Sequence, residues 1–342
     1  MSRCKEIFAH RLLFRAGKSL ALGAMLVGFS YGAALSQSGE PADATKIVIG
    51  QSSTGVGQMP LYVALQEGFF KKAGVDASSF ALSGGTPSAM AAFATGSVNV
   101  LNLSAPEVIQ YAGKKVITGK AFGEIVDQSY DIISSKAITS IQEIKGKTVG
   151  ISAPNSGDQI ILLATMQHYG ISPKDVTFIT SGNSINRIVA LDKGVIHVTA
   201  AANSQRKDSM KVGTVLLNSG DNPVQFPTTV LIASGDLISN HKPLLKKFLS
   251  ALGEATAWMR ANPEAAVALC VKTLGATVDA CTSAIALNFD RSISGNWTWS
   301  STFAVNVEGV KSALAVMATL DPETKNLTID DVVDTSIAGT TP

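Results

Sequence analysis

Six short polar segments hold most of the residues that could do chemistry in this 342-residue chain. They read SSTGVGQMP at 52–60, SGGTP at 83–87, SAP at 104–106, APNSGDQ at 153–159, SGNSIN at 181–186 and AANSQ at 201–205. Hydroxyls, carboxamides and backbone amides of this kind orient a small polar molecule without committing a fixed charge. Most of the segments lead into helix-patterned stretches, so they place their polar groups at helix N-termini. There, unpaired N–H groups and the helix dipole receive anions or polar acceptors without Lys or Arg. Ser52, Ser83, Ser156 and Ser181 read equally as helix caps, and Gly84 and Gly182 as residues that permit a tight turn. Arg187, four residues past Asn183 in the helix, reads either as reaching the cleft or, in preference, as a solvated surface residue, and Asp158 as a partner of its own helix end. Asn203, among apolar neighbours at a strand end, reads as a ligand contact.

The usual catalytic constellations are missing from these stretches. Beyond residue 36 the sequence holds no HExxH, no GxSxG and no P-loop, and Gly55-x-Gly57 is followed by Pro60 where a dinucleotide fingerprint needs its third glycine. Ser204 and Lys207 fit SxxK, but the companion SDN and KTG motifs of that enzyme class are absent. His168, His197 and His241 fall in a helix, in a strand and before a helix, with no carboxylate partner evident and no metal-site spacing to a cysteine.

The elements that must position the polar segments repeat. SGGTPSAMAAFATGSVNV (83–100) aligns without a gap on SGNSINRIVALDKGVIHV (181–198), matching Gly84 with Gly182, Ala92 with Ala190, Gly96 with Gly194 and Val98 with Ile196. Earlier units align as well, Gly50 with Gly150, Ser52 with Ser152, Gly57 with Gly157 and Ala64 with Ala164. KIVIGQ (46–51) and TVGIS (148–152) read as buried strands that open two successive β-loop-α-β-loop-α-β modules, the grammar of a doubly wound, mostly parallel sheet. PTTVLIAS (227–234) reads as a strand re-entering the first sheet, followed by helices to about Leu320. The expectation is an α/β fold of two domains, 46–137 with 226–342 and an inserted 138–225. In open α/β sheets ligands sit beyond the carboxyl ends of the strands, and all six polar segments occupy such ends.

Residues 1–36 read as a secretory signal peptide: Arg3, Lys5, Arg11, Arg15 and Lys18 precede the short apolar run LALGAMLVGFSYGAAL. A retained membrane anchor is the alternative, less favoured because the run is shorter than a spanning helix requires. The formal net charge of +2 therefore owes its sign to the leader, and the remainder has no basic cluster with interleaved aromatics of the kind that binds nucleic acid. Cys270 and Cys281 flank VKTLGATVDA, a helix end, a turn and a helix start. They read either as a disulfide clamping a helical hairpin in an oxidising compartment or as two small buried hydrophobes.

PLYVALQEGFFKKAGVD with SGGTPSAMAAFATGSVNV resembles the sulfonate/nitrate/taurine-type solute-binding proteins of ABC importers, which are grouped with proteins similar to thiamine-pyrimidine synthases. The resemblance continues through SIQEIKGKTVGISAPNSGDQIILLATMQHYGISPKDVTFI, SINRIVALDKGVIHVTAAAN and WMRANPEAAVAL to TIDDVVDTSIA. It implies a type II periplasmic-binding-protein-like fold with the ligand cleft between two domains. It further implies a monomeric periplasmic receptor that closes on a small solute and hands it to a permease and its ATPase, with no cofactor, no metal and no catalysis. By position, ligand contacts fall at Ser52, Ser53, Thr54 and Gln58, at Gly84 and Gly85, at Ser104, at Ser156, Gly157 and Asp158, at Asn183 and at Asn203. Where many relatives carry an aromatic or acidic cluster, this chain has AANSQ at 201–205. The loops favour a sulfonate- or carboxylate-like anion, then a neutral heterocycle. The alternatives are a pyrimidine-synthase-like enzyme on the same bilobal fold and a ligand-sensing binding protein.

Overall fold

The computed structural model describes residues 46–52, 54–82, 85–127, 129–289, 299 and 302–338. The expected signal peptide at 1–36 lies outside the described residues, as do Ser53 and Gly84.

Among the described residues, ten strands form two five-stranded sheets. In the first, β1 (Lys46–Gln51), β2 (Asp76–Ala81), β3 (Val100–Leu103), β4 (Lys120–Val126) and β10 (Thr229–Ala233) take the order β2-β1-β3-β10-β4. In the second, β5 (Tyr130–Ser135), β6 (Thr148–Ile151), β7 (Thr177–Thr180), β8 (Val198–Ala202) and β9 (Gly213–Leu217) take the order β7-β6-β8-β5-β9. β1 is parallel to β2 and β3, and β6 to β7 and β8, whereas β10 and β5 each run antiparallel to both neighbours. Each sheet is thus mostly parallel with one reversed strand in the fourth place. β5 lies in the second sheet, so the passage between sheets falls between Val126 and Tyr130, upstream of the expected boundary at 137. The reason is its pairing: Tyr130–Ser135 fits antiparallel between β8 and β9.

The repeat has a packing cause. A Cβ on Gly150 would stand 2.5 Å from Ile196 Cδ1, and one on Gly50 would stand 3.1 Å from Val98 Cγ2 and 2.7 Å from Leu101 Cδ2. The aligned aliphatic therefore presses on the aligned glycine in both sheets. Gly96 and Gly194 follow α3 (Gly85–Ala94) and α6 (Ser184–Asp192) at φ of +74° and +69°, the left-handed turn that ends a helix at glycine.

Helices cover both faces of the first sheet. α1 (Met59–Gln66), α2 (Phe69–Lys72), α9 (Lys242–Ala261), α10 (Pro263–Leu274) and α11 (Val278–Phe289) share one core with β1. Phe248 of α9 stacks on Phe70 of α2 with ring centroids 4.6 Å apart. A second core joins α4 (Ala105–Gly113) and the helix Val307–Leu320 to residues of α5 (Gly157–His168) and of the second sheet. Two shorter helices, α7 (Arg206–Val212) and α8 (Gly235–Asn240), follow β8 and β10. Cys270 and Cys281, both fully buried, join α10 to α11 with their sulfurs 2.04 Å apart. Among the described residues no single helix is long and apolar enough to cross a membrane.

The two crossovers run side by side. Thr228 Oγ1 donates to the Asp127 carbonyl at 2.6 Å, Thr228 and Ser129 hydroxyls pair at 2.8 Å, and Asn203 N donates to the Ser129 carbonyl at 2.7 Å.

Candidate functional site

A cavity of about 990 Å³ lies between the sheets and is lined from both. From the first come Ser52, Thr54, Gln58 and Ser104; from the second come Ser156, Gly157, Asp158, Asn183 and Asn203. Nine residues expected at a ligand site thus surround one space. Gly85 opens α3, whose Thr86 and Pro87 line the cavity.

The first-sheet wall is held by hydrogen bonds across strands. Ser52 N donates to Asn102 Oδ1 at 2.8 Å and Ser52 Oγ to the Asn102 carbonyl at 2.7 Å. Gln51 at the end of β1 accepts from the Tyr62 hydroxyl at 2.8 Å and donates to Ser79 Oγ at 2.7 Å. Burial pushes the Tyr62 phenol up to about 12, against the opposing pull of the Gly55 amide. Ser104 caps α4 in a capping box: its amide and hydroxyl both donate to Glu107 Oε2 at 2.8 Å, while Thr86 Oγ1 donates to Glu107 Oε1 at 2.6 Å.

In the second wall the tie runs through charge. Asp158 accepts from Ser152 N at 2.8 Å and from the Ser152 hydroxyl, and Arg187 Nη1 lies 3.6 Å from its Oδ2. Arg187 is 2% exposed, which corrects its reading as a surface residue. Its Nε donates to Thr199 Oγ1 at 2.9 Å and its Nη2 to the Ala200 carbonyl at 2.8 Å, with Nη1 on the Gly182 carbonyl. The guanidinium thereby pins the turn ahead of α6, where Asn183 caps the helix through its Oδ1 on Asn186 N at 3.0 Å. A buried guanidinium persists because every direction it points in meets an acceptor.

Among the described serines ahead of helices, Ser52, Ser156 and Ser181 donate to backbone carbonyls and do not cap by side chain. The N-termini of α4 and α5 abut across the cavity: a Cβ on Gly157 would stand 3.2 Å from Ser104 Cβ. Glycine here permits a close approach that any side chain would hold apart.

Several lining residues carried no signal in the sequence. Tyr130 comes from the crossover strand; burial, and next the Asp158 charge, push its phenol far above the ordinary range. Ala280, Ala284 and Asn288 come from one face of α11, which also packs on the 3-10 turns Val56–Gln58 and Asn203–Gln205. Gln205 lines the cavity beside Asn203. The SxxK pair does not assemble: Ser204 lines the cavity, whereas Lys207 reaches outward to Ser283 Oγ at 2.8 Å. Among the described residues no group of three or more His, Cys, Asp or Glu could hold a metal ion.

The family model described as NMT1/THI5 like matches residues 57–266, which include seven of the nine lining positions named above. The chain belongs to the NMT1/THI5-like family. It is 24% identical over 224 residues to a 4-amino-5-hydroxymethyl-2-methylpyrimidine phosphate synthase of Candida albicans, covering 61% of this chain and 65% of that enzyme. Among solved structures, this NMT1/THI5-like chain matches the ligand-binding component of an ABC-type import system from Staphylococcus aureus, with zinc bound. The TM-score is 0.68 at 15% identity, over 87% of this chain and 100% of that one. It also matches the periplasmic aliphatic sulphonate binding protein of Escherichia coli, with a TM-score of 0.67 at 18% identity, over 87% and 92% of the two chains. The fold is that of the periplasmic binding proteins.

Proposed function

We propose that this NMT1/THI5-like chain is the solute-binding receptor of an ABC importer, exported to the periplasm by its N-terminal signal. The observation that carries this reading is a single cavity walled by polar loops from the carboxyl ends of strands in both sheets. A solute that touches both walls favours the form in which they approach, and the paired crossovers near Asp127 and Thr228 are the segments about which they would turn. The membrane permease reads that closed form, and its ATPase drives transfer; the receptor acts as a monomer. Two carboxylates of the wall support binding without turnover, since Glu107 and Asp158 are already held by neighbouring donors.

The test combines a melting-temperature screen over several hundred small polar metabolites with small-angle scattering on the best stabiliser. Saturable stabilisation, a smaller radius of gyration and an unchanged solute are expected. Conversion of the solute would overturn the receptor in favour of an enzyme, the reading suggested by the name of the Candida albicans relative.

A further inference from the structure

α11 turns a different side to each of its surroundings. Asp279 and Ser283 fall on one stripe of the helix, Ala280, Ala284 and Asn288 on a second, and Cys281 and Ile285 on a third. Within a stripe the residues are four apart, and each stripe is turned about 100° from the one before. Ala280, Ala284 and Asn288 line the cavity. Cys281 and Ile285 lie in the core that α11 shares with α1, α9 and α10, and Cys281 is joined to Cys270 of α10. That third side fixes α11 to the first half of the protein.

The first stripe meets the second half. Lys207 Nζ, on α7, donates to Ser283 Oγ at 2.8 Å and lies 3.9 Å from Asp279 Oδ1. α7 itself packs on β5, β8 and β9, so it travels with the second sheet. The other cations of α7 are taken within that half: Arg206 by Asp131, and Lys211 by Asp208 at 2.7 Å. Lys207 is thus the α7 cation that reaches across.

α11 meets the second half at two places. One is the turn Asn203–Gln205, tied to the first crossover through Asn203 N on the Ser129 carbonyl. The other is Lys207, beyond that turn on α7. A rotation about the crossovers displaces the tied turn least and draws Lys207 away from α11. The side chains of Lys207 and Asp279 are 70% and 86% exposed, so water replaces this contact at little cost and it can break and re-form at every cycle.

We propose that Lys207 clamps the second half onto α11, so that the cleft opens only when its contact with Ser283 and Asp279 breaks. α11 is then a fixed wall of the first half, and the second half is the part that leaves it. The proposal rests on the reading of the cavity as a cleft that opens and closes.

The experiment uses the full chain without added solute. Asn288 is 3% exposed on the cavity stripe. The thiol introduced by Asn288→Cys is modified with N-ethylmaleimide and followed by mass spectrometry of its own peptide, which separates it from Cys4. Where opening and closing are faster than modification, the rate reports the open fraction. Lys207→Glu sets a like charge against Asp279 and should raise that rate about fivefold; adding Asp279→Lys restores the pair and should return it to within about twofold of the start. Amide exchange along α11 should not change with Lys207→Glu, because the helix stays with the first half. An unchanged thiol rate, a rise that the charge swap leaves in place, or faster exchange throughout α11 would each overturn the clamp. If Asn288→Cys lowers the melting temperature by more than about 5 °C, scattering decides instead: Lys207→Glu alone should enlarge the radius of gyration and the swap should restore it, and equal values overturn the clamp. None of these readouts needs a bound solute, so a failed clamp leaves the receptor to the metabolite screen, and a silent screen leaves the clamp to be judged here.

Discussion

Replacing Arg187 by Met tests the physical reading of the second wall most directly. Met keeps most of the stem volume and removes the charge and all the donors. The guanidinium and the Asp158 carboxylate have side chains 2% and 3% exposed and lie 3.6 Å apart. At an effective dielectric of about 20, a pair at that distance attracts by roughly 4–5 kcal/mol. Asp158 keeps its bonds from Ser152 in the variant, but its charge loses its partner in a buried site. The expected loss of stability is about 3–5 kcal/mol. Urea unfolding followed by fluorescence gives the midpoint shift at constant slope. The companion variant Asp158→Asn removes the stranded charge, so the double variant should regain about 1–3 kcal/mol over Arg187→Met alone. A single-variant loss below about 1 kcal/mol, or a double variant no better than the single, would refute the claim that this pair secures the wall.

Two further outcomes are expected. Gly150→Ala should destabilise by about 1–3 kcal/mol, because its Cβ meets Ile196 Cδ1 at 2.5 Å; the double change Gly150→Ala with Ile196→Val should recover part of that, and no recovery in urea unfolding would point elsewhere. Glu124 is buried, and burial, then Asp127, raise its carboxyl well above the ordinary 4.5. A raised folded-state value means that its contribution is fully present below about pH 4.5 and is lost as pH rises through that raised value. Glu124→Gln should therefore gain on the parent protein as pH climbs from about 4 to 8. Stability curves that stay parallel over that range would contradict it.

What could be read from the residues alone depended on how local the cause was. KIVIGQ is β1 from Lys46 to Gln51 as read, because β-branched residues ending in glycine announce a buried strand without help. The alignment of Gly50 with Gly150 and Val98 with Ile196 was legible because each match reports a close contact inside one module. β4 was not legible. Gly123 and Glu124 interrupt its apolar run, and the reason Glu124 can lie inside is Asn306, whose N–H donates to its Oε2 at 2.8 Å from 182 residues away in sequence. Arg187 was misread for a related reason: its acceptors at Thr199 and Ala200 converge only once α6 is packed on β8. Lys207 gave no sign of its partner, since Ser283 lies 76 residues further along the chain.

The place of β10 has a consequence for the order in which the protein can be completed. All five strands of the second sheet lie in one unbroken stretch, from Tyr130 to Leu217. The first sheet is different: β10 fills the slot between β3 and β4, so β4 has no strand neighbour until Thr229–Ala233 exists. As the chain emerges N-terminus first, the half that begins first is therefore the half that closes last. A break at the first crossover would likewise leave a three-stranded remnant with β4 loose beside it, so one half can be detached only by cutting twice.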